Sequence, residues 1–327
     1  MGELRGRGAP GDGEWGDHEV AEVLKLAEAA EDADGVGPLS EHSMLALRGG
    51  HPGLALSDSG AGGGSASGSG GGSGGIVAYA HLDPATAEEP AAGELVVHPE
   101  HRRRGHGRAL LRALRDEAGG PLRVWAHGDL PAAAALAASE GMTRVRVLLQ
   151  MRRPAAAPLP EMTVAPGVTL RTFEPGRDER AWLDVNSRAF ADHPEQGAWT
   201  IEDVRDRERE DWFDPSGFFL AERPGERPGE RPGERQGERR GRLAGFHWTK
   251  IHPGGIGEVY VVGVDPDAQG LGLGRTLTLK GLHHLRDVGV DQIMLYVDES
   301  NTAAVRLYES LGFTRHAVDV MYATRAS

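Results

Sequence analysis

The stretch VVGVDPDAQGLGLGRTL, Val261–Leu277, sets the reading of the whole chain. A β-branched run ending at Val264 predicts a strand, Asp265-Pro266 a turn, and the residues after Gly274 a helix. Between them stands Gln269-x-x-Gly272-x-Gly274, followed by Arg275. The first turn of a helix carries unpaired N–H groups and the positive end of its dipole, and glycine lets an anion approach with no Cβ in the way. The pattern therefore predicts a phosphate grip. Two other glycine motifs fail here. A P-loop needs G-x-x-x-x-G-K-[ST], and no such lysine follows. The dinucleotide fingerprint needs G-x-G-x-x-G, whereas Gly272-x-Gly274 runs on into Arg275, Thr276 and Leu277.

The same order of elements occurs earlier. VVHPEHRRRGHGRALLRAL, from Val96, lies over GVDPDAQGLGLGRTLTLKGL, from Gly263, and WAHGDLPAAAALAASEGMTR, from Trp125, lies over YVDESNTAAVRLYESLGFTR, from Tyr296. The chain reads as a tandem duplication. In both halves a strand, a long loop and a strand precede the glycine turn: GLALSD and IVAYAHLD in the first, GFFLAE and RLAGFHWTK in the second. The loops are GAGGGSASGSGGGSGG, Gly60–Gly75, with the composition of a flexible tether, and a four-residue repeat from Glu222, ERPGERPGERPGERQGERRG, far too short in period to be a stacking unit. Length in such loops is tolerable. The Pro- and Ala-rich RRPAAAPLPEMTVAPG, Arg152–Gly167, separates the halves. The expected organisation is a flexible leader at 1–17, a domain at 18–153, a linker at 154–167 and a second domain at 168–327. The expected class is α+β, with two mixed, mostly antiparallel sheets flanked by helices.

Composition excludes several functions. A net charge of −13 over 327 residues opposes nucleic acid as the main partner, although a nucleotide-bearing small molecule needs only a local positive patch. No run of 18 apolar residues exists and the first residues carry no apolar signal core, so neither a membrane span nor a secretory signal is expected, and the chain is placed in the cytosol as a monomer. The absence of cysteine excludes disulfides, thiolate nucleophiles and cysteine-bound zinc. His283 and His284 are adjacent on a helix and do not face one way, so no metal site is expected there. His127 reads as a pocket or packing residue, and Trp182, Trp199, Trp212 and Phe213 as core or cleft wall.

At the two glycine turns the chain resembles the GNAT acetyltransferase superfamily, whose Q/R-x-x-G-x-G/A signature cradles the pyrophosphate of acetyl-CoA. More narrowly it resembles the tandem-domain mycothiol synthase family, through DGVGPLSEHSML (Asp34–Leu45), ELVVHPEHRRRGHG, FADHPEQGAWT (Phe190–Thr200), WFDPSGF, GFHWTKIHP and GEVYVVGVDP. Together these span most of Asp34–Ala323. The resemblance implies acetyl transfer from acetyl-CoA to the cysteinyl amine of cysteinyl-glucosaminyl-inositol, with no covalent enzyme intermediate. It implies a cosubstrate site at Leu95, Val96, Val97 and Arg103, Arg104, Gly105, His106, Gly107, Arg108 in the first half. In the second half it implies Val262, Gly263, Val264, then Gln269, Gly270, Leu271, Gly272, Leu273, Gly274, Arg275, and Asn301, Thr302, Ala303, Ala304, Val305, Arg306. Substrate contacts are implied at Glu41, Glu195, Lys250, Glu258 and Tyr296, with the strand before each glycine turn splayed from its neighbour.

Such a transfer needs a neutral amine, a polarised thioester and a proton for the departing thiolate. Glu258, before VYVVGV, is the candidate base, its other reading being an ordinary strand-end carboxylate. Tyr308 is the candidate acid, its other reading being core packing. The duplication supplies an internal control: Glu258 falls on Ala91 and Tyr308 on Ala137, so the first half is expected to bind acetyl-CoA without catalysis. Glu94 lies three residues from Ala91 and should face the opposite side of its strand unless a bulge intervenes. Two other functions remain open at this point: acetylation of a different amine (an aminoglycoside, a polyamine or a protein amino terminus), and an acyl-CoA sensor without turnover.

Overall fold

A computed structural model describes residues 3–5, 15–51, 53–57, 75–86, 89–191, 194–224 and 241–325. Most of the two loop insertions and of the leader lie outside the described residues; within the leader, β1 (Glu3–Arg5) pairs antiparallel with β2. Two compact units result: residues 1–148 with 317–327, and residues 149–316.

The first unit contains α1 (Asp17–Asp34), α2 (Glu41–Arg48), β2 (Leu54–Ser57), β3 (Ile76–Asp83), β4 (Ala91–Val97), α3 (His106–Ala118), β5 (Leu122–Ala126), α4 (Pro131–Ser139) and the start of β6 (Thr143–Pro154). The second contains the rest of β6, β7 (Thr169–Thr172), α5 (Glu179–Ala189), α6 (Pro194–Gly197), α7 (Ile201–Glu208), β8 (Phe218–Arg223), β9 (Arg242–Ile251), β10 (Ile256–Val264), α8 (Leu273–Asp287), β11 (Gln292–Asp298), α9 (Thr302–Ser310) and the first residues of β12 (Thr314–Ala323). Strand order is β1-β2-β3-β4-β5-β12 in the first unit and β6-β11-β10-β9-β8-β7 in the second. Only β4–β5 and β10–β11 are parallel among the registered pairs, so each sheet is mixed and mostly antiparallel. The hairpins β2–β3 and β8–β9 flank the two insertions, because each run of Val, Ile, Phe and Leu finds its antiparallel partner on the far side of the loop.

The division differs from the expected one at its edges. The boundary falls inside β6, after Leu148, and the end of β12 belongs to the first unit, where Val320 to Ala323 pair with Ala126 to Arg123 of β5. A contiguous duplication would have given β12 to the second unit. Its alternate buried residues Val320 and Tyr322 instead join the core under α3, with Leu110, Leu111 and Leu114.

Each sheet buries both faces. In the first unit α3 covers one face and α1 the other, where Val23, Leu26, Tyr79 and Val96 meet. In the second, α8 covers one face and α5 the other, over an aromatic cluster of Trp182, Phe218, Phe246 and Trp248. Phe218 and Trp248 stack at 4.5 Å between ring centroids and 8° between planes. The seating of α8 depends on one small residue: a Cβ at Gly281 would stand 2.0 Å from the ring of His247 on β9. That space lets His247 Nδ1 donate to the Leu277 carbonyl at 2.7 Å.

Candidate active site

In the second unit the parallel pairing of β10 with β11 runs from Ile256↔Gln292 to Val259↔Leu295 and stops there, while β10 remains paired with β9 through Val264. Tyr260–Val264 thus has one edge outside the β10–β11 ladder. The register of β10 slips between Val259 and Val261, a bulge that adds local twist. The same termination occurs in the first unit, where β4–β5 pairing ends at Glu94↔Trp125 and Leu95–Val97 runs on beside β3 alone. Val262, Gly263 and Val264, and their counterparts Leu95, Val96 and Val97, therefore lie on strand edges able to accept an added extended chain.

Past each splayed strand comes the turn. Gly270 and Gly272 hold φ of +81° and +73°, a region L-residues avoid, and in the first unit Arg103 and Gly105 adopt it at +63° and +90°. Gly272 precedes α8 and Gly105 precedes α3, neither supplying a side-chain cap, so the first-turn amides of both helices remain available to an anion. Gln269, Gly270, Leu271, Gly272 and Arg275 are exposed, Leu273 is buried beneath the turn, and Gly274 lies half-buried. A Cβ on Gly274 would meet only Val264, at 3.9 Å, so crowding by the protein does not explain that glycine. Arg275 is anchored on the Ser310 hydroxyl at 3.1 Å and Arg108 on that of Ser139 at 3.3 Å, the same contact in both copies. Asn301 caps α9 by accepting from the Ala304 N–H; Thr302, Ala303 and Arg306 are exposed, Ala304 is half-buried and Val305 is buried.

In the first unit a cavity of about 620 Å³ opens between these elements, lined by Leu95–Val97, by Arg103, Gly105, His106, Gly107 and Arg108 of the turn, and by His127. Arg104, exposed, bonds the Glu100 carbonyl. Arg102 clamps Asp34 through two bonds of 2.7 Å and is thus committed to the protein.

Glu258 is buried on β10 opposite Lys250 of β9. Its Oε2 lies 2.7 Å from Nε2 of His252, in the turn joining the two strands. The Lys250 ammonium sits 4.4 Å from the Trp212 ring centroid and 5.2 Å from that of Tyr260, aromatic faces that favour a cation. Tyr308 is buried on α9, edge-to-face with Phe313 at 5.9 Å, and burial alone raises its phenol to about 12. Tyr296 on β11 is exposed and its hydroxyl accepts from Gln150 at 2.7 Å. Glu195 belongs to α6, its side chain lying outside the described residues, and Glu41 opens α2 of the first unit, half-buried. Strand pairing brings Glu258 and Lys250 together; His252 went unnoticed in the sequence, where only its place beyond a short hairpin could have signalled it.

The bulge corrects the comparison of the halves. Val96 faces the α1 side of its sheet, and so does Glu94 two residues earlier, where the Ser40 N–H on α2's cap donates to it at 2.7 Å. Val261 faces the α5 side, and without the bulge Glu258 would face away from it; with the bulge, Glu258 stands over the same aromatic cluster, opposite Lys250. Glu94 and Glu258 thus face corresponding sides, and the first half does carry a carboxylate there. Its environment differs. His127 lies between Glu94, 3.5 Å from Nε2, and Asp319, 3.3 Å from Nδ1. Burial pulls the imidazole down, but the carboxylates of Asp319 and Glu94 outweigh it and raise His127 to about 10. Burial likewise pulls Glu94 up, yet His127 and Ser40 hold it below the usual carboxylate range. Ala137, the counterpart of Tyr308, is buried in the core under α3.

Profiles of the Acetyltransferase (GNAT) family and of an Acetyltransferase (GNAT) domain match residues 182–313 and 69–140. A mycothiol acetyltransferase of Thermomonospora curvata is 65% identical over 308 residues, covering 94% of each chain, and one of Thermobispora bispora is 57% identical, covering 94% of this chain and 96% of its own. The chain belongs to the mycothiol acetyltransferase family. Its tandem GNAT fold is shared with a tandem GNAT protein from the clavulanic acid biosynthesis pathway, at a TM-score of 0.68, 19% identity and 99% coverage of both chains. Within the mycothiol acetyltransferase family fold, the second unit carries Glu258 and Lys250 where the β10–β11 ladder ends, with Tyr308 buried on α9, and the first carries the corresponding splayed strand with a carboxylate already engaged.

Proposed function

We propose that the second unit transfers acetyl from acetyl-CoA to the cysteinyl amine of cysteinyl-glucosaminyl-inositol. The observation that carries this reading is the contact of the half-buried His252 with buried Glu258, on the strand whose free edge follows directly. The first-turn amides of α8, with Arg275, hold the pyrophosphate, and those N–H groups of Val262–Val264 that face the free edge pair with the pantetheine arm and polarise the thioester carbonyl. Glu258 takes a proton from the substrate ammonium, and His252 passes it towards solvent. The freed amine forms a bond to the acetyl carbon, the nitrogen gives up its second proton to Glu258, emptied through His252, as the carbon–sulfur bond breaks, and the thiolate takes a proton from Tyr308, which solvent restores after product leaves. A phenol at about 12 still bears that proton at neutral pH. Glu41, Glu195, Lys250 and Tyr296 recognise the acceptor.

The first unit binds acetyl-CoA at Leu95–Val97 and the turn before α3 without turning it over. The locked state of Glu94 and the alanine at 137 support that reading. Mass spectrometry after incubation with acetyl-CoA and cysteinyl-glucosaminyl-inositol should show one acetyl group added on nitrogen. Unchanged acceptor alongside rapid acetylation of an unrelated amine would overturn it.

A further inference from the structure

We propose that the first unit carries a divalent-cation site formed by His42, His81 and Asp83. The side chains come from two elements: His42 from the first turn of α2, and His81 and Asp83 from alternate positions at the end of β3, which places both on one face of the strand. Oδ1 of Asp83 lies 2.9 Å from Nε2 of His42 and 3.1 Å from Nε2 of His81. One ligand atom from each residue falls within 4.8 Å of the others, and among the described residues this is the group of three that does so.

The donor set decides the class of ion. Two imidazoles and one carboxylate suit zinc and its first-row neighbours, whereas calcium and magnesium prefer all-oxygen shells. Around a tetrahedral ion with bonds of about 2.0–2.1 Å, ligand atoms stand roughly 3.3 Å apart. Opening the two nitrogen–oxygen contacts by a few tenths of an ångström, and setting the two imidazole nitrogens, which lie within 4.8 Å of each other, to the same spacing, converts the hydrogen-bonded trio into a coordination shell, a movement within the reach of side-chain torsions. His81 is buried, with 3% of its surface exposed, and its Nδ1 has no protein partner, while His42 is exposed. Such a shell has one rigid inner ligand and one outer ligand that lets an ion enter and leaves a coordination position for water.

The site would fasten α2 to β3. Glu41 is the residue next to His42, and Ser40, which caps α2, donates to Glu94 on the neighbouring strand. A bound ion would hold both in place without taking part in acetyl transfer.

The test uses the full chain, free of any histidine tag and stripped with a chelator, with Zn²⁺ alone as probe. Competition against a chromophoric chelator should give one tight equivalent, weakened at least tenfold by Asp83→Asn and by His42→Ala, the latter on an exposed position. Equal zinc affinity in the wild type and both variants would place the metal on other histidines and overturn the proposal. X-ray absorption on the wild-type complex reads the shell with no variant: two imidazoles and an oxygen support the site, and a shell without paired imidazoles rejects it.

Discussion

Lowering the pH should loosen the second unit through one histidine. His247 is fully buried on β9, its Nδ1–H is spent on Leu277, and its Nε2 has no partner to stabilise a second proton. Burial is the main cause that lowers it from 6.5 to about 4. The unfolded chain binds the proton first, so the stability this residue contributes is complete above 6.5 and is lost as pH falls towards 4. Linkage between those two values gives a loss of about 2 kcal/mol between pH 7 and pH 5. In urea, with a slope of about 2 kcal/mol per molar, the midpoint should drop by roughly 1 M. Four of the six tryptophans, Trp182, Trp199, Trp212 and Trp248, lie in this unit, so emission reports its unfolding. His247→Gln keeps a donor for Leu277 and cannot titrate in this range, and should lose about 1 M less over the same interval than the wild type. Parallel losses in the two proteins would refute the account. Because the ring supports the carbonyl of Leu277 in α8, the acid-loosened protein should also bind acetyl-CoA more weakly.

Glu258→Gln should lower kcat by about a hundredfold or more, the usual scale for losing a general base, and Tyr308→Phe should do likewise with its melting temperature little changed; steady-state kinetics and thermal unfolding check both. Removing the 2.7 Å contact with His252→Gln should cost about tenfold in kcat, the scale of one hydrogen bond to a charged group, with KM for acetyl-CoA unchanged. Gly272→Ala forces an L-residue to φ +73° at a cost of about 1–2 kcal/mol, and should raise KM for acetyl-CoA more than it lowers kcat. In the first unit the pH slope reverses: His127, raised to about 10, contributes stability that is complete below 6.5 and is lost as pH rises towards 10, so His127→Gln should flatten the alkaline limb of a stability curve.

The glycine turns were legible in the sequence because their requirements are local. Positive φ at Gly270 and Gly272, and a proline turn after a β-branched strand, are properties of neighbouring residues. The hairpins across the insertions were legible too, since apolar runs on either side of a polar loop have few other partners. What escaped was non-local. A one-residue bulge after Val259 reverses the facing of Glu258 relative to Glu94, and no residue type announces it. Asp319 reaches His127 because β12 pairs with β5, a pairing that the linear order of two equal halves conceals. His42 and Asp83 are 41 residues apart, beyond any helical ligand spacing.

The membership of residues 317–327 in the first unit bears on biosynthesis. A ribosome delivers residues 1–148 first, yet they must wait for residues 319–323 before the strand beside β5, and the acid that flanks His127, exist at all. Unit two, closed by His316, is ready earlier in translation despite being written later. A nonsense codon just after that for His316 would therefore leave the second unit whole and deprive the first, written long before it, of its closing strand.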